Sequence, residues 1–182
     1  MNTIVIKTDF VPTSYIKKNT RIHNIINLCG SFREEFKLNG EFDREDVDKP
    51  SIIVNSNVYD WINWKWKKLV TEEQYYKDCV LHRDNNLPAI IEHNIGGNKE
   101  CELFYKEGIL HRDEGPAEIR YDTINGITYI RNETYFKNGL IHRNKHEGPA
   151  SIRYHLRENG TTCRGFYLYY ENGEIVRSCY DD

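Results

Sequence analysis

Short runs of alternating apolar and polar residues recur along the chain, and two turn-forming residues separate the runs of each pair. The clearest copy, Phe104–Tyr121, predicts a hairpin, a turn and a further strand. Five copies align on the second turn residue, which is Gly40, Cys79, Gly108, Gly139 and Gly173. Internal repetition of this kind predicts an all-β fold, an elongated array of antiparallel β-hairpin repeats with a small non-repeat N-terminal cap.

The turn residues predict the geometry of the hairpins. Three copies carry Asn-Gly, as at Asn138-Gly139, which is typical of a two-residue type I′ turn because both positions need positive φ. In such a hairpin Tyr135 should pair with His142, and the rings three positions before the glycine should oppose an apolar residue. The pair Asp78-Cys79 departs from the pattern. Because Cys is costly at positive φ, we expect a different turn type there.

Four residue types recur at fixed distances from the turn. An aromatic residue stands four positions before the second turn residue in every copy: Phe36, Tyr75, Phe104, Tyr135 and Tyr169. Histidine stands three positions after it in the middle copies: His82, His111 and His142. Arginine stands four positions after it in every copy: Arg44, Arg83, Arg112, Arg143 and Arg177. We expect each guanidinium to bond loop carbonyls or a neighbouring carboxylate and so fix the turn that follows.

A proline opens the last strand of each complete copy, where its missing N–H costs little. These prolines are Pro50, Pro88, Pro116 and Pro149. A small residue follows each proline, and an isoleucine stands three positions after it: Ile53, Ile91, Ile119 and Ile152. This alternation predicts that the small residues and the isoleucines lie on the inward face of the sheet.

The ends of the chain differ from the repeat. Residues 1–32 are predicted to form an N-terminal cap, with a small recruitment module as the alternative. Within them, Thr3–Lys7 predicts a strand and Tyr15–Leu28 a short helix. The array occupies residues 33–182, with units near 33–58, 72–98, 101–125 and 132–157 and a half unit over 165–182.

Composition narrows the functional classes. The 182 residues carry a net charge of −3, and lysine and arginine are dispersed, so we expect no nucleic-acid partner. No apolar run reaches membrane-spanning length, so we expect no membrane insertion. The five cysteines form no C-x-x-C pair, which favours reduced thiols in an intracellular, cytoplasmic location and argues against a structural metal site.

The histidine and arginine series invite a catalytic interpretation. Equivalent atoms of neighbouring hairpins should lie about 9–10 Å apart, twice the strand spacing. Metal ligands must come within about 2 Å of the ion. We therefore assign His82, His111 and His142 structural roles, and the arginines likewise, with a carboxylate- or phosphate-binding row as the alternative. No catalytic motif occurs, so we expect no catalytic residues, no metal and no cofactor.

The longest joint between copies holds all three tryptophans and is the best candidate for a partner-binding surface. Its aromatic residues are Tyr59, Trp61, Trp64 and Trp66, flanked by lysines. Interfaces use such side chains as anchors. The alternative is that they fill the first gap in the array. On a regular strand, Trp64 and Trp66 share one face and pack inward, while Trp61 points the other way.

The pattern Tyr/Phe-x-Lys-x-Gly-x-Leu-His-Arg-x-x-Gly-Pro-Ala, present around Gly108 and Gly139, resembles the MORN-like repeat variants of large DNA viruses, phages and bacteria. The resemblance implies an elongated hairpin array that serves as a scaffold or binds proteins, in a host cytoplasm or virion if the protein is viral. We therefore expect a non-enzymatic scaffold with a protein partner or self-association. The alternative is a small-ligand, defence-blocking, nucleotide-sequestering or antitoxin-like binding module.

Overall fold

The computed structural model describes residues 3–6, 21–28, 31–38, 41–42, 49–60 and 62–181. These residues form an all-β fold of antiparallel hairpins and contain no helix. The strands of the first part are β1 (Thr3–Ile6), β2 (Arg21–Leu28), β3 (Ser31–Leu38), β4 (Glu41–Phe42), β5 (Ile52–Asp60), β6 (Lys65–Gln74), β7 (Tyr76–Lys77), β8 (Val80–Leu81), β9 (Ile90–His93) and β10 (Lys99–Leu103). The later strands are β11 (Tyr105–Lys106), β12 (Ile109–Leu110), β13 (Glu118–Ile124), β14 (Ile127–Thr134), β15 (Phe136–Lys137), β16 (Leu140–Ile141), β17 (Ser151–Leu156), β18 (Thr162–Glu171) and β19 (Glu174–Tyr180).

Most of these strands belong to one sheet that follows the order of the chain. The path is β1-β2-β3-β5-β6-β9-β10-β13-β14-β17-β18-β19, and β4 pairs with β3 beside it. Neighbours along the path are antiparallel apart from the parallel pair of β1 and β2. The short strands form three separate hairpins, β7-β8, β11-β12 and β15-β16. From β5 to β18 the sheet is therefore a meander whose strands are joined by these short hairpins at one edge and by turns at the other.

The unit around Gly108 illustrates the repeat. Glu107 and Gly108 have φ of 53° and 78°, as a type I′ turn requires. Tyr105 pairs with Leu110, and the backbone N–H of His111 donates to the carbonyl of Phe104 at 3.0 Å. The next unit has the same arrangement, since the N–H of His142 donates to Tyr135 O at 3.0 Å. The predicted hairpin register is confirmed.

The turn at Asp78-Cys79 has the same geometry, so the prediction of a different turn type was wrong. Both residues have positive φ, 50° and 64°, and Lys77 pairs with Val80 across them. A left-handed conformation at Cys79 costs about 1–2 kcal/mol. Pairing on both sides of the turn imposes that conformation in spite of the cost.

The N-terminal segment joins the same sheet. The predicted strand is confirmed as β1, but Arg21–Leu28 form β2, so the predicted helix was wrong for these residues. β2 pairs with β3 over its whole length, from Arg21↔Leu38 to Leu28↔Ser31, and such a ladder outweighs a weak helical period. The rest of the predicted helix lies outside the described residues. The division of the chain at residue 32 stays a prediction.

The core is thin and is distributed along the sheet. The small residues after the prolines, Ser51, Ala89, Ala117 and Ala150, are at most 1% exposed. Around them one cluster contains Phe104, Ala117 and Ile119, with Leu110 and Phe136 packed against it. Ile119 and Ile152 are buried, so the predicted inward face is confirmed in the last two complete units. In the first unit Ile52 is 0% exposed whereas Ile53 is only half-buried, and in the second Ile90 and Ile91 are both half-buried, so the prediction does not hold there. Phe104 and Ala117 of one unit thus share an apolar cluster with Phe136 of the next.

Candidate functional site

The histidine series connects successive hairpins. Nδ1 of each histidine accepts a hydrogen bond from the first turn residue of the next copy: Glu107 N to His82 (3.0 Å), Asn138 N to His111 (3.0 Å) and Asn172 N to His142 (3.2 Å). The turn glycine beside it donates to the preceding copy as well, as from Gly139 N to Leu110 O at 3.0 Å. Each hairpin is therefore fixed to its neighbour at two points.

The other ring nitrogen of these histidines faces an aspartate in two of the three copies. His82 Nε2 lies 2.9 Å from Asp84, and His111 Nε2 lies 2.9 Å from Asp113. Because Nδ1 accepts a backbone N–H, the proton of the neutral ring stands on Nε2 and is donated to the carboxylate. Hydrogen bonds from Lys106 and His111 lower the pKa of Asp113 to about 2. Both ring nitrogens are thus used within the fold.

The arginine series closes the loop before each proline. Arg112 stacks on Phe104, with its guanidinium carbon 3.7 Å from the ring centroid, and Nη1 donates to Pro116 O at 3.1 Å. The neighbouring copies repeat this with Arg83 on Tyr75 and Pro88, and with Arg143 on Tyr135 and Pro149. The predicted bond from the arginine to a loop carbonyl is confirmed for these three copies, and Arg44 lies outside the described residues.

Open grooves lie between successive arginine loops. One, of about 230 Å³, is lined by Arg83 and Arg112, and the next, of about 690 Å³, by Arg112 and Arg143. Asn86 accepts from Arg112 Nε at 2.8 Å across the first groove. Nε of Arg143 is buried with no hydrogen-bond partner. Arginines that the repeat spaces apart in sequence therefore come to line the same groove.

The tryptophan joint is a hairpin turn between β5 and β6. Trp64 lies in this turn with a φ of 51°, so it does not share a strand face with Trp66. Trp64 and Trp66 are 74% and 70% exposed, and the prediction that they pack inward was therefore wrong. Trp61 lies outside the described residues. The ring of Tyr59 contacts Trp66 edge-on, with 5.2 Å between centroids, so two of the four predicted candidates are in direct contact.

Asp60 shapes the turn that presents these aromatics. Its carboxylate accepts from the backbone N–H of Ile62 and of Asn63, both at 3.0 Å, and from the Asn63 side chain at 2.9 Å. The hydrogen bonds from Asn63 lower the pKa of Asp60. Ile62 at the tip is 90% exposed. Three large apolar side chains therefore project from one tip, which is unusual for a surface with no partner.

A series of glutamates was missed by the sequence reasoning. Six positions before the second turn residue stand Glu34, Glu73, Glu102 and Glu133. Tyr121 donates to Glu102 at 2.6 Å, and Tyr154 donates to Glu133 at 2.7 Å. Burial and these carboxylates raise the pKa values of both tyrosines. The constant offset from the turn was visible in the sequence.

No three or more His, Cys, Asp or Glu side chains in the described part of the chain are placed to hold a metal ion. No helix there is long and apolar enough to cross a bilayer. Comparison of the chain with protein-family models, with curated proteins and with solved structures found no match.

Proposed function

We propose that this protein is a non-enzymatic, MORN-like hairpin array that binds another protein through the tip of the β5-β6 hairpin. Exposure of Ile62, Trp64 and Trp66 at one tip carries the proposal. Aromatic side chains of this size supply most of the binding energy at protein interfaces. The stacked hairpins form the scaffold that presents the tip, and we place the protein in the cytoplasm, or in a host cytoplasm or virion if it is viral.

The histidines and arginines recur at the same distance from the turn in successive copies, and this supports a scaffold role for them. Both nitrogens of His111 are hydrogen-bonded, and Arg112 is bonded to its own loop. A general acid or base needs a nitrogen that can reach a substrate. These side chains stabilise the array instead, and this favours a binding protein over an enzyme.

Native mass spectrometry of the protein purified from its source cells tests the proposal. We expect the wild-type chain to carry a stoichiometric partner chain, and the double variant Trp64→Ser/Trp66→Ser to lose at least nine-tenths of it. Tyr180→Ser is the matched control, because Tyr180 is 76% exposed but lies on β19. A bare wild-type monomer, or equal loss in both variants, would contradict the assignment.

A second candidate function is binding of a phosphate-containing ligand in the groove between Arg112 and Arg143. The two arginines that line this groove favour it, since guanidinium groups bind phosphate through planar, forked N–H donors. Glu147 and Glu171 also line this groove and oppose an anion. Calorimetric titration with ATP and with pyrophosphate would support this function if Arg143→Gln abolished the heat, and absence of heat at millimolar ligand would exclude it.

A further inference from the structure

The hairpin of β5 and β6 reaches beyond both of its neighbours in the sheet. β3 pairs with β5 only as far as Ser56, and β9 pairs with β6 only over Glu72–Gln74. After β9 the chain turns back at Asn94–Asn98, where Gly97 lies against Leu69. Among the described residues, Lys65–Lys68 therefore pair with β5 on one side and with no strand on the other. Their outer backbone groups can receive a further strand.

We propose that an extended, acidic segment of the partner protein adds to this outer edge of β6, a proposal that rests on the proposed function. The chemistry of the partner segment follows from the alternation of side chains between the two faces of β6. Lys65 and Lys67 lie on one face and Trp66 on the other. Asp60 stands opposite Lys65, and the charge of Lys67 helps to lower the pKa of Asp60, but no ion-pair contact within 4.0 Å joins either lysine to a described residue. A segment with carboxylates on the lysine face and apolar side chains on the Trp66 face complements both faces at once.

The same side chains disfavour a dimer formed through this edge and addition of the acidic segment to β5. In a dimer made by antiparallel pairing of this edge with its own copy, lysines would lie against lysines, and like charges placed opposite each other destabilise a sheet. The outer edge of β5 offers no positive charge to an acidic segment, since β5 ends at Asp60 and carries no lysine from Asn57 onward. The lysine-bearing edge of β6 is thus the one that fits an acidic strand.

Synthetic peptides test the proposal on the full-length protein. The first probe is an acetylated heptapeptide of alternating glutamate and valine. The second has lysine in place of glutamate, and the third is the first probe with alternate amides N-methylated. All three tryptophans of the chain lie in this joint, so their emission reports occupancy of the tip, and hydrogen exchange of the Lys65–Lys68 amides reports strand addition.

We expect the Glu-Val peptide to shift the emission saturably and to slow exchange of the edge amides at least tenfold. The Lys-Val and N-methylated peptides should bind at least tenfold more weakly. Lys65→Glu/Lys67→Glu should reverse the preference between the two charged peptides, and Lys145→Glu, an exposed charge change in another loop, should leave it unchanged.

Several results would overturn strand addition. The N-methylated peptide could bind as tightly as the Glu-Val peptide, or the Glu-Val peptide could leave the emission unchanged at millimolar concentration. An emission shift that grows with protein concentration would identify a second copy of the chain as the occupant. Emission shifts with phosphatidylserine vesicles but no amide protection would identify a lipid surface instead. If the Glu-Val peptide changes the emission but does not protect the Lys65–Lys68 amides, strand addition is wrong. The tip can still be a protein-binding site, which the Trp64→Ser/Trp66→Ser variant tests separately.

Discussion

Nδ1 of His111 accepts a hydrogen bond from the backbone N–H of Asn138 at 3.0 Å, across 27 residues of sequence. The bond joins the end of one hairpin to the turn of the next, and the equivalent bonds of His82 and His142 repeat it. The side chain of His111 is only 11% exposed, so water competes weakly for its ring. The histidine is therefore a link between units, which explains why it recurs at a fixed offset.

His111→Phe should lower the free energy of unfolding by about 1 kcal/mol, chiefly because the bond from Asn138 N–H is lost; the second bond reaches an exposed carboxylate and adds little. Asp113→Asn removes the carboxylate from the other ring nitrogen, but Asp113 is 68% exposed, so this control should change stability much less than His111→Phe does. Urea unfolding measures both. If both variants lose the same free energy of unfolding, the histidine stabilises the fold through Asp113 and not through the link to Asn138. Nitrogen NMR of the imidazole should find Nδ1 unprotonated.

The hairpin geometry could be predicted from the sequence because it depends on local residues. Type I′ turns follow from Asn-Gly, and the pairing of Tyr105 with Leu110 follows from counting outward. The bond from Asn138 to His111 could not be predicted in this way, because it depends on how one unit rests on the next. The turn at Cys79 was mispredicted because pairing on both strands outweighs a local steric preference.

Exposure of the tryptophans had a similar non-local cause. The side chains of β6 are exposed over residues 65–68 and half-buried over residues 69–74. β9 pairs with β6 only over Glu72–Gln74, so no described strand lies beside Trp66 on the outer side of β6. Whether these tryptophans are buried depends on the length of the β5-β6 hairpin relative to its neighbours. The aromatic content of the sequence alone does not reveal that length.

Replacement of Arg112 by lysine should destabilise the fold even though the charge is kept. The guanidinium stacks on Phe104 and bonds both Pro116 O and Asn86 Oδ1, and an ammonium group cannot reproduce this flat, forked geometry. We expect a loss of about 1–2 kcal/mol in the free energy of unfolding. Arg157→Lys, at an exposed site, should stay within about 0.5 kcal/mol. Equal effects in thermal or urea unfolding would refute a structural role for the stack.

Replacement of Glu92 by glutamine should stabilise the protein at neutral pH. Glu92 pairs directly with Glu72 across two strands, and burial, followed by the charge of Glu72, raises the pKa of Glu92 above its ordinary value of 4.5. The folded state therefore holds this proton more tightly than the unfolded state. Below pH 4.5 the carboxyl is neutral in both states. As the pH rises through the folded pKa, the wild-type protein loses stability that the glutamine variant keeps.

The gain from Glu92→Gln should be about 0.5 kcal/mol at pH 7, the scale of a cross-strand like-charge pair. It should vanish near pH 4. Urea unfolding at the two pH values measures the difference, and Glu158→Gln, an exposed carboxylate in a loop, provides the control. A gain that is the same at pH 4 and pH 7 would mean that packing, and not charge, is responsible.

Cys101 should be the slowest of the described cysteines to react with iodoacetamide. It is 1% exposed, and burial raises its pKa to about 12 from an ordinary value of 9.0. The thiolate is the reactive species, and at pH 8 only about one Cys101 in 10,000 is ionised. Cys79 is exposed at its hairpin turn. Peptide mass spectrometry after brief alkylation should find Cys79 modified at least 100-fold faster, and equal rates would show that the sheet opens at Cys101.

The same thiol should make the fold sensitive to alkali. Because the folded pKa is raised, the stability contributed by the neutral thiol is fully present below pH 9 and is lost as the pH rises towards 12. Tyr121 and Tyr154 have raised pKa values too, so they add a loss at higher pH. The free energy of unfolding should therefore fall more steeply between pH 9 and pH 11 in the wild type than in Cys101→Ala. The comparison uses the slope, since loss of the buried sulfur lowers the stability of the variant at every pH. Parallel slopes would show that Cys101 ionises as readily in the folded chain as in the unfolded one.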